Sequence, residues 1–474
     1  MFVKSSYPRN FLLTGLTSIL VACGGGGGGG GGGGSGFLPF GSAVQPQPAP
    51  AEPVKSYVVG GSISGLTGTL TLQNNAGDEL KLSEDGTFAF ATPIGADGTY
   101  DVKIQTQPLW QFCAVTKGAG TVKADVVDVG VTCTTAVGEV TTFAGTGMQG
   151  STDGPANSSA FVVPAGIALG SDGGLLVADA GVSLIRRISP TGDVSTIAGN
   201  ATIATVDGNG IGASFEQLFG ITKTASGDTF VVQCAQNNHL VRKMSVAGDV
   251  STFAGSGNSV ETDGNGAAAE FSCPQAIASD DAGNLYVADA SGNAIRKINQ
   301  TGDVTTLAGS GAPGSVDAKG TAASFNNPVG IAVDKKGNVF VSDLSNHKIR
   351  RISPSGDVTT LAGTGQVGIA DGGPGVATLT APVGIAVDGE GNLFVMDQAD
   401  GQTGNALLRR ITSAGVVTTV AGQAVASGTG AEDGVGSAAA FSTLVIGLAV
   451  GSDGGVFVAD GFNHKIRRVM PVAP

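Results

Sequence analysis

Three histidines, His239, His347 and His464, are the side chains best suited by type to hold a metal or relay a proton. All three occupy one position of a repeated segment, in NNHLVRK, SNHKIRR and FNHKIRR. Equivalent residues of successive repeats are spread through an assembly, whereas a zinc site needs ligands that converge on one point. Ser/His/Asp catalysis meets the same objection, because no histidine departs from the repeat register. The histidines are therefore read as structural, and no metal, cofactor or catalytic residue is assigned. A strand-end aspartate and a following arginine pair also recur, as Asp343 with Arg350 and Arg351, and Asp460 with Arg467 and Arg468. Strand alternation turns one arginine of each pair towards a neighbouring sheet. An unpaired charge there would be strongly destabilising, so Asp–Arg contacts are expected. One unit has Gln233 where the others have aspartate, and its arginine should find another acceptor.

The segment that positions these residues is typified by residues 327–363, NPVGIAVDKKGNVFVSDLSNHKIRRISPSGDVTTLAG. It contains four short β-type runs, GIAV, NVFVSD, HKIRRI and VTTLAG, separated by Gly, Asn, Asp, Ser and Pro. Units begin near Gly166, Gly220, Ala276, Gly330, Gly384 and Gly447, with spacings of 54, 56, 54, 54 and 63 residues. Four strands at this period suit a six-bladed β-propeller; a solenoid would need capping repeats, which are missing. The ends agree with a ring. A VTTFAG run, Val140 to Gly145, has no GIAV strand before it, and the last unit, ending IRRVMPVAP, has no VTT strand after it. If the first run supplies the outer strand of the sixth blade, the ring closes and no sheet edge stays open. The connections between units share Asp-Gly, small residues and then Phe161, Phe215, Phe271, Phe325, Leu379 or Phe441, which should plug the space between blades.

The Gly/Asp/Asn-His-Lys-Ile-Arg pattern, full around Asn346-His347-Lys348 and Asn463-His464-Lys465 and partial in the other four units, resembles the NHL repeat. The resemblance covers residues 138–471 and implies a six-bladed propeller whose ligand-binding face carries the connections between second and third strands and those between units. On that face Cys234 and Cys273 fall in adjacent blades, and a bridge between them is expected. Propellers similar to this one include zinc-dependent lyases and calcium-dependent lactonases, which makes a metal-dependent propeller enzyme the alternative function. The residues before the inner-strand glycines are Ala165, Phe219, Gln275, Val329, Val383 and Ile446. That ring lacks the oxygen ligands for Ca²⁺ and any acid–base pair. Departures from the repeat mark the expected binding rim: Phe219, Gln233, Asn237, Gln275, Gln398 and Phe462, with an insertion at residues 398–405. Recognition of a protein, peptide or glycan, without catalysis, is the expected function.

The N-terminus sets the address. Lys4 and Arg9 precede an apolar run, Phe11 to Leu20, too short to span a bilayer and suited to a secretory signal. Leu20-Val21-Ala22-Cys23 looks like a bacterial lipobox, so residues 1–22 are expected to be a signal peptide and Cys23 an acylated first residue. Polyglycine from Gly24 to Gly34 and a Pro/Ala-rich segment make residues 23–56 an expected unstructured tether. The implied location is the cell envelope, anchored by lipid, and the outer membrane if the cell is Gram-negative, since Gly24 and not Asp follows the cysteine. Residues 57–135 alternate apolar and polar positions in about seven short strands, as in a small immunoglobulin-like sandwich. A Cys113–Cys133 bridge there would close a loop of about twenty residues and contribute roughly 3 kcal/mol. Together with Cys234 and Cys273 it accounts for every cysteine after Cys23, as an oxidising compartment allows. Net charge is −13 with no basic block, which argues against nucleic acid.

Overall fold

A computed structural model describes residues 55–236, 238–398, 406–424 and 430–474. The expected signal peptide, Cys23 and all but the last two residues of the tether lie outside them. The described chain is all-β apart from single 3-10 turns, and no helix in it is long and apolar enough to cross a membrane.

Residues 55–135 form two four-stranded sheets. One orders Gly86–Ala89, Val59–Ser64, Val126–Thr135 and Gln111–Thr116; the other orders Asp78–Leu82, Leu70–Asn74, Thr99–Thr106 and Ala119–Thr121. Val59, Ile63, Val129 and Val131 of the first sheet and Leu70, Leu72, Tyr100 and Val102 of the second are buried in one shared core. The Cys113–Cys133 disulfide forms, between residues directly opposed on adjacent strands of one sheet. Val126–Thr135 runs on through Ala136 into the next strand, Val137–Ala144, so no linker separates the two parts of the chain.

The remaining chain makes six sheets, each with four long antiparallel strands. Their innermost strands are Pro164–Leu169, Leu218–Lys223, Pro274–Ser279, Pro328–Val333, Pro382–Val387 and Val445–Val450. Each inner strand touches the next, and the sixth touches the first, so the series is closed. In the sixth sheet the outer strand is Val137–Ala144, paired antiparallel with Lys465–Val472 from Val137↔Val472 to Ala144↔Ile466. The surplus strand at the start of the repeats therefore fills the gap at their end. Between neighbouring sheets sit Phe161, Phe215, Phe271, Phe325, Leu379 and Phe441, all wholly buried; the first five lie in cores drawn from two sheets, and Phe441 in a larger one that takes in Trp110.

One buried arginine organises each sheet: Arg186, Arg242, Arg296, Arg350, Arg409 and Arg467, all six wholly buried and five of them paired with an equally buried aspartate. In the fourth sheet Arg350 Nη1 donates to Asp343 Oδ2 (2.7 Å) and to Ser324 O (3.0 Å). Its Nη2 donates to Asp317 Oδ1 (2.6 Å) and to Val316 O (3.0 Å), and the guanidinium lies 5.2 Å from the Phe325 ring centroid. Asp343 Oδ1 then accepts the Asn326 amide, and Asp317 accepts the amide and hydroxyl of Thr360 on the outer strand. One side chain thus ties the second strand, third strand, outer strand and inbound loop together. The second sheet keeps the arrangement with an amide: Arg242 Nη1 donates to Gln233 Oε1 (2.9 Å), while Gln233 Nε2 donates to Glu216 O and Thr205 Oγ1. The expectation that Arg242 would need a substitute acceptor is corrected, because the glutamine carbonyl does the work of the carboxylate. The second acceptor, Asp207 at 2.7 Å, is one that every sheet has: Asp153, Asp207, Asp263, Asp317, Asp371 and Asp433.

Removing one partner of a buried pair leaves the other charge without compensation. Arg350→Ala should cost about 3–5 kcal/mol in urea denaturation. Arg187→Ala breaks a pair with Asp172 that is more than two-fifths exposed, and should change stability by about 1 kcal/mol or less. Equal effects would remove the buried arginines from this role.

Candidate functional site

The centre of the ring is the natural place for a propeller site, and it is built from the inner strands. Pairings such as Val445↔Asp460 and Pro274↔Asp289 put the starts of the inner strands and the ends of the second strands on one face, called here the upper face. Near those starts the inner strands close to backbone contact. A Cβ on Gly166 would lie 2.2 Å from Phe219 O, one on Gly330 2.1 Å from Val383 O, and one on Gly447 2.2 Å from Ala165 O. Glycine is required there by distance, not by backbone angle. Below them Ile167, Ile221, Ile277, Ile331, Ile385 and Leu448, all buried, form an aliphatic ring. This ring lies between a cavity of about 50 Å³ on the side of Gln275 and one of about 250 Å³ on the side of Lys223 and Ser279. The smaller has room for one or two waters.

No acid, base or imidazole lines the upper cavity; Gln275 is its one polar side chain. Among the described residues no group of three or more His, Cys, Asp or Glu is placed to hold a metal. Two histidines are bound into the scaffold. His347 Nδ1 hydrogen-bonds Thr380 O, and His464 Nδ1 hydrogen-bonds Val162 O, each on the loop entering the next sheet. Both take left-handed backbone, φ 57° and 55°, at the end of a 3-10 turn. His239 differs: it lies in the strand Asn238–Met244, its Nδ1 is buried without a partner, and burial pushes its pKa down.

The expected rim residues fall in three places. Phe219 and Gln275 are half-buried at the upper end of the bore, with Gln275 Nε2 3.9 Å from Cys273 Sγ. Phe462 is 57% exposed on the upper face of the sixth sheet, and Gln398 is half-buried at a strand end with its backbone N–H donated to Ala381 O. Gln233 does not belong to the rim: it is wholly buried, and its amide is consumed by Arg242, Glu216 and Thr205. Asn237 and residues 399–405 of the insertion lie outside the described residues. The Cys234–Cys273 disulfide forms and staples the second sheet to the loop entering the third.

Two features escaped the reading of the sequence. The first is the role of the loop aspartates. Their recurrence as Asp-Gly was visible, but nothing local says that an arginine some 33 residues away will reach back to them. The second is Trp110, which is 1% exposed and sits between the fifth and sixth sheets on the lower face. Its ring centroid is 5.0 Å from that of Phe394, and its Nε1 donates to Gly454 O at 2.7 Å. Around it Arg410 is buried beside Thr67, and the Thr69 amide points to Glu390 Oε1 at 3.5 Å. The N-terminal sheets are therefore docked on the turns of the lower face.

The third sheet is electrostatically unlike the rest. Asp289 is buried, its Arg296 contact is 3.5 Å where the other four Asp–Arg pairs span 2.7–3.2 Å, and Glu261 stands close by. Burial, with Glu261 adding to it against the Ser272 amide, pushes Asp289 up to about 7. Burial also raises Glu261, whose Oε1 has no hydrogen-bond partner. By contrast Asp263, although partial burial opposes it, is held low by Arg296 and Thr306.

Two family models match the chain, "Teneurin NHL domain" over residues 138–319 and "NHL repeat" over residues 325–352. "Protein SUPPRESSOR OF QUENCHING 1, chloroplastic" of Arabidopsis thaliana is 32% identical over 287 residues, 56% of this chain and 26% of that protein. Human "NHL repeat-containing protein 2" is 30% identical over 283 residues, 52% of this chain and 39% of that protein. Mouse "Teneurin-4" is 26% identical over 367 residues, 68% of this chain and 13% of that protein. The chain thus spans well under half the length of these relatives. Among solved structures, a structural genomics protein of unknown function from Bacteroides thetaiotaomicron aligns over 89% of this chain and 99% of its own, with TM-score 0.54 and 20% identity. An "auxiliary nutrient binding protein" from the same organism aligns over 88% and 98%, with TM-score 0.52 and 16% identity. The likeness to these structures is one of fold. The chain carries NHL repeats in a propeller-like, all-β fold.

Asp289 and Glu261 give the third sheet a testable pH dependence. An aspartate that titrates near 7 when folded and about 3.9 when unfolded takes up a proton on folding between those values. Its contribution is complete below about pH 4 and lost as pH rises through about 7. Glu261→Gln removes the neighbouring charge, so stability measured by urea denaturation should fall less steeply between pH 5 and pH 8 than in the parent chain. An unchanged slope would remove Glu261 from this shift and leave burial as its cause.

Proposed function

We propose that this chain is a lipid-anchored envelope protein whose upper propeller face recognises a protein, peptide or glycan without transforming it. The observation that carries this reading is the bore, where apolar side chains and Gln275 stand in place of acid, base or metal ligand. Six sheets with inner strands in closed contact support a six-bladed propeller over residues 138–471. Two four-stranded sheets around one core support an immunoglobulin-like sandwich over residues 57–135. Because the sandwich is docked on lower-face turns, the upper face with Phe219, Gln275, Gln398 and Phe462 is left for a partner. The signal of residues 1–22, acylation at Cys23 and the tether to residue 56 would place that face outside a membrane, in keeping with two disulfides.

Peptide and glycan arrays probed with the purified mature chain test the reading. The expected result is a bound class whose affinity falls about tenfold or more in Phe462→Ala, the one large aromatic of the rim exposed to solvent. Metal-dependent opening of lactones or elimination by the same sample would overturn it in favour of an enzyme. Intact mass of the chain from membranes should show loss of residues 1–22 and an acyl gain on Cys23. A mass without acylation would remove the anchor while leaving the recognition reading standing.

A further inference from the structure

The groove that holds Trp110 has relatives elsewhere on the lower face, because the sheets repeat. In register, Phe230 of the second sheet stands where the fifth has Phe394, and Lys243 stands where the fifth has Arg410. Gly283 of the third sheet stands where the sixth has Gly454, the residue whose carbonyl accepts the Trp110 indole. The groove between the second and third sheets is therefore built like the one between the fifth and sixth, but no described segment of this chain fills it. It is an open cavity of about 420 Å³, within the roughly 300–1,000 Å³ range of small-ligand pockets. The corresponding groove between the fourth and fifth sheets is smaller, about 160 Å³, and is rimmed by Lys335 and Lys336.

We propose that the groove between the second and third sheets is a docking slot for a tryptophan side chain on a loop of a partner polypeptide. Phe230 forms its floor, and Phe253 meets that ring edge-on at 5.0 Å, in the place where the fifth sheet has Val420. A second aromatic wall replaces an aliphatic one, which suits a planar guest. Lys243 Nζ lies 5.8 Å from the Phe230 centroid and 2.8 Å from Asp228, so a cation flanks the floor as Arg410 does at home. Gly283 at the turn offers the backbone position that accepts the indole N–H in the occupied groove. Asp281, exposed at the rim, favours a Lys or Arg beside the tryptophan. The home site shows the presentation required: Trp110 holds φ 60° on a short turn between strands, with Leu109 packed against Gly454. The slot lies on the face opposite the proposed upper-face recognition and does not depend on it.

The probe is an acetylated, amidated peptide copying residues 108–112, with 5-fluorotryptophan at the Trp110 position, followed by fluorine NMR against the full chain. The expected result is saturable binding, weakened about tenfold or more when the peptide carries alanine in place of tryptophan. Ser226→Trp and Ala282→Trp, which fill the groove from opposite walls at exposed positions, should each abolish binding, while Lys336→Glu in the neighbouring groove should not. Thermal midpoints of the variants check that each is folded. Absence of binding, equal binding of the two peptides, or binding that survives both filled variants overturns the proposal. So does a change in Trp110 fluorescence on saturation, which would place the peptide in the home groove.

Discussion

A buried guanidinium is the constraint on which this fold rests. A charge withdrawn from water must be met by hydrogen bonds of fixed geometry, and each of the six arginines is met by side chains and carbonyls from separate strands and loops. The aromatic of the inbound loop covers the guanidinium in five sheets; in the fifth, Leu379 replaces it. These sheets are small and rich in glycine, and propensity alone would hold them weakly. The arginine makes each a unit with one possible register, since slipping a strand by one residue would turn that charge to the wrong side.

Much of this was legible because repetition amplifies weak signals. The aspartate and arginine of a single unit say little, but six copies identify a pair, and the missing and surplus strands at the two ends identify a ring. Gln233 shows the limit of the method. As a departure from the pattern it resembled a functional exception, yet its carbonyl oxygen reproduces the acceptor and its amide finds two further partners. Chemistry was preserved where identity was not. Trp110 lay beyond reach for a different reason. It belongs to a segment without repeats, and its partners Phe394 and Gly454 are some three hundred residues away, so only the folded chain brings them together.

The bore and the lower face divide two tasks that the repeat alone would leave equivalent. Glycines admit the inner strands to backbone contact, and the aliphatic ring below them lines the centre between the two cavities. On the lower face the grooves between sheets are alike in plan but not in content: one is filled by Trp110, one is narrow between a lysine-bearing turn and an acidic one, and one is wide and doubly aromatic. Divergence between copies, within a scaffold that cannot itself diverge, is how such a molecule acquires distinct surfaces.

The shared strand of the sixth sheet also has a mechanical meaning. Val137–Ala144 continues from the N-terminal sheets with only Ala136 between, and Ala136 is fixed by its own bond to Trp110 O. At Val137↔Val472 the strand arriving from the N-terminal sheets and the last strand of the ring end side by side, running antiparallel. Pulling on the two chain ends would open this ladder from that pair inward, and the Trp110 anchor and the Ala136 bond stand in front of it. The join that closes the ring thus sits directly behind the contact by which the N-terminal sheets are docked.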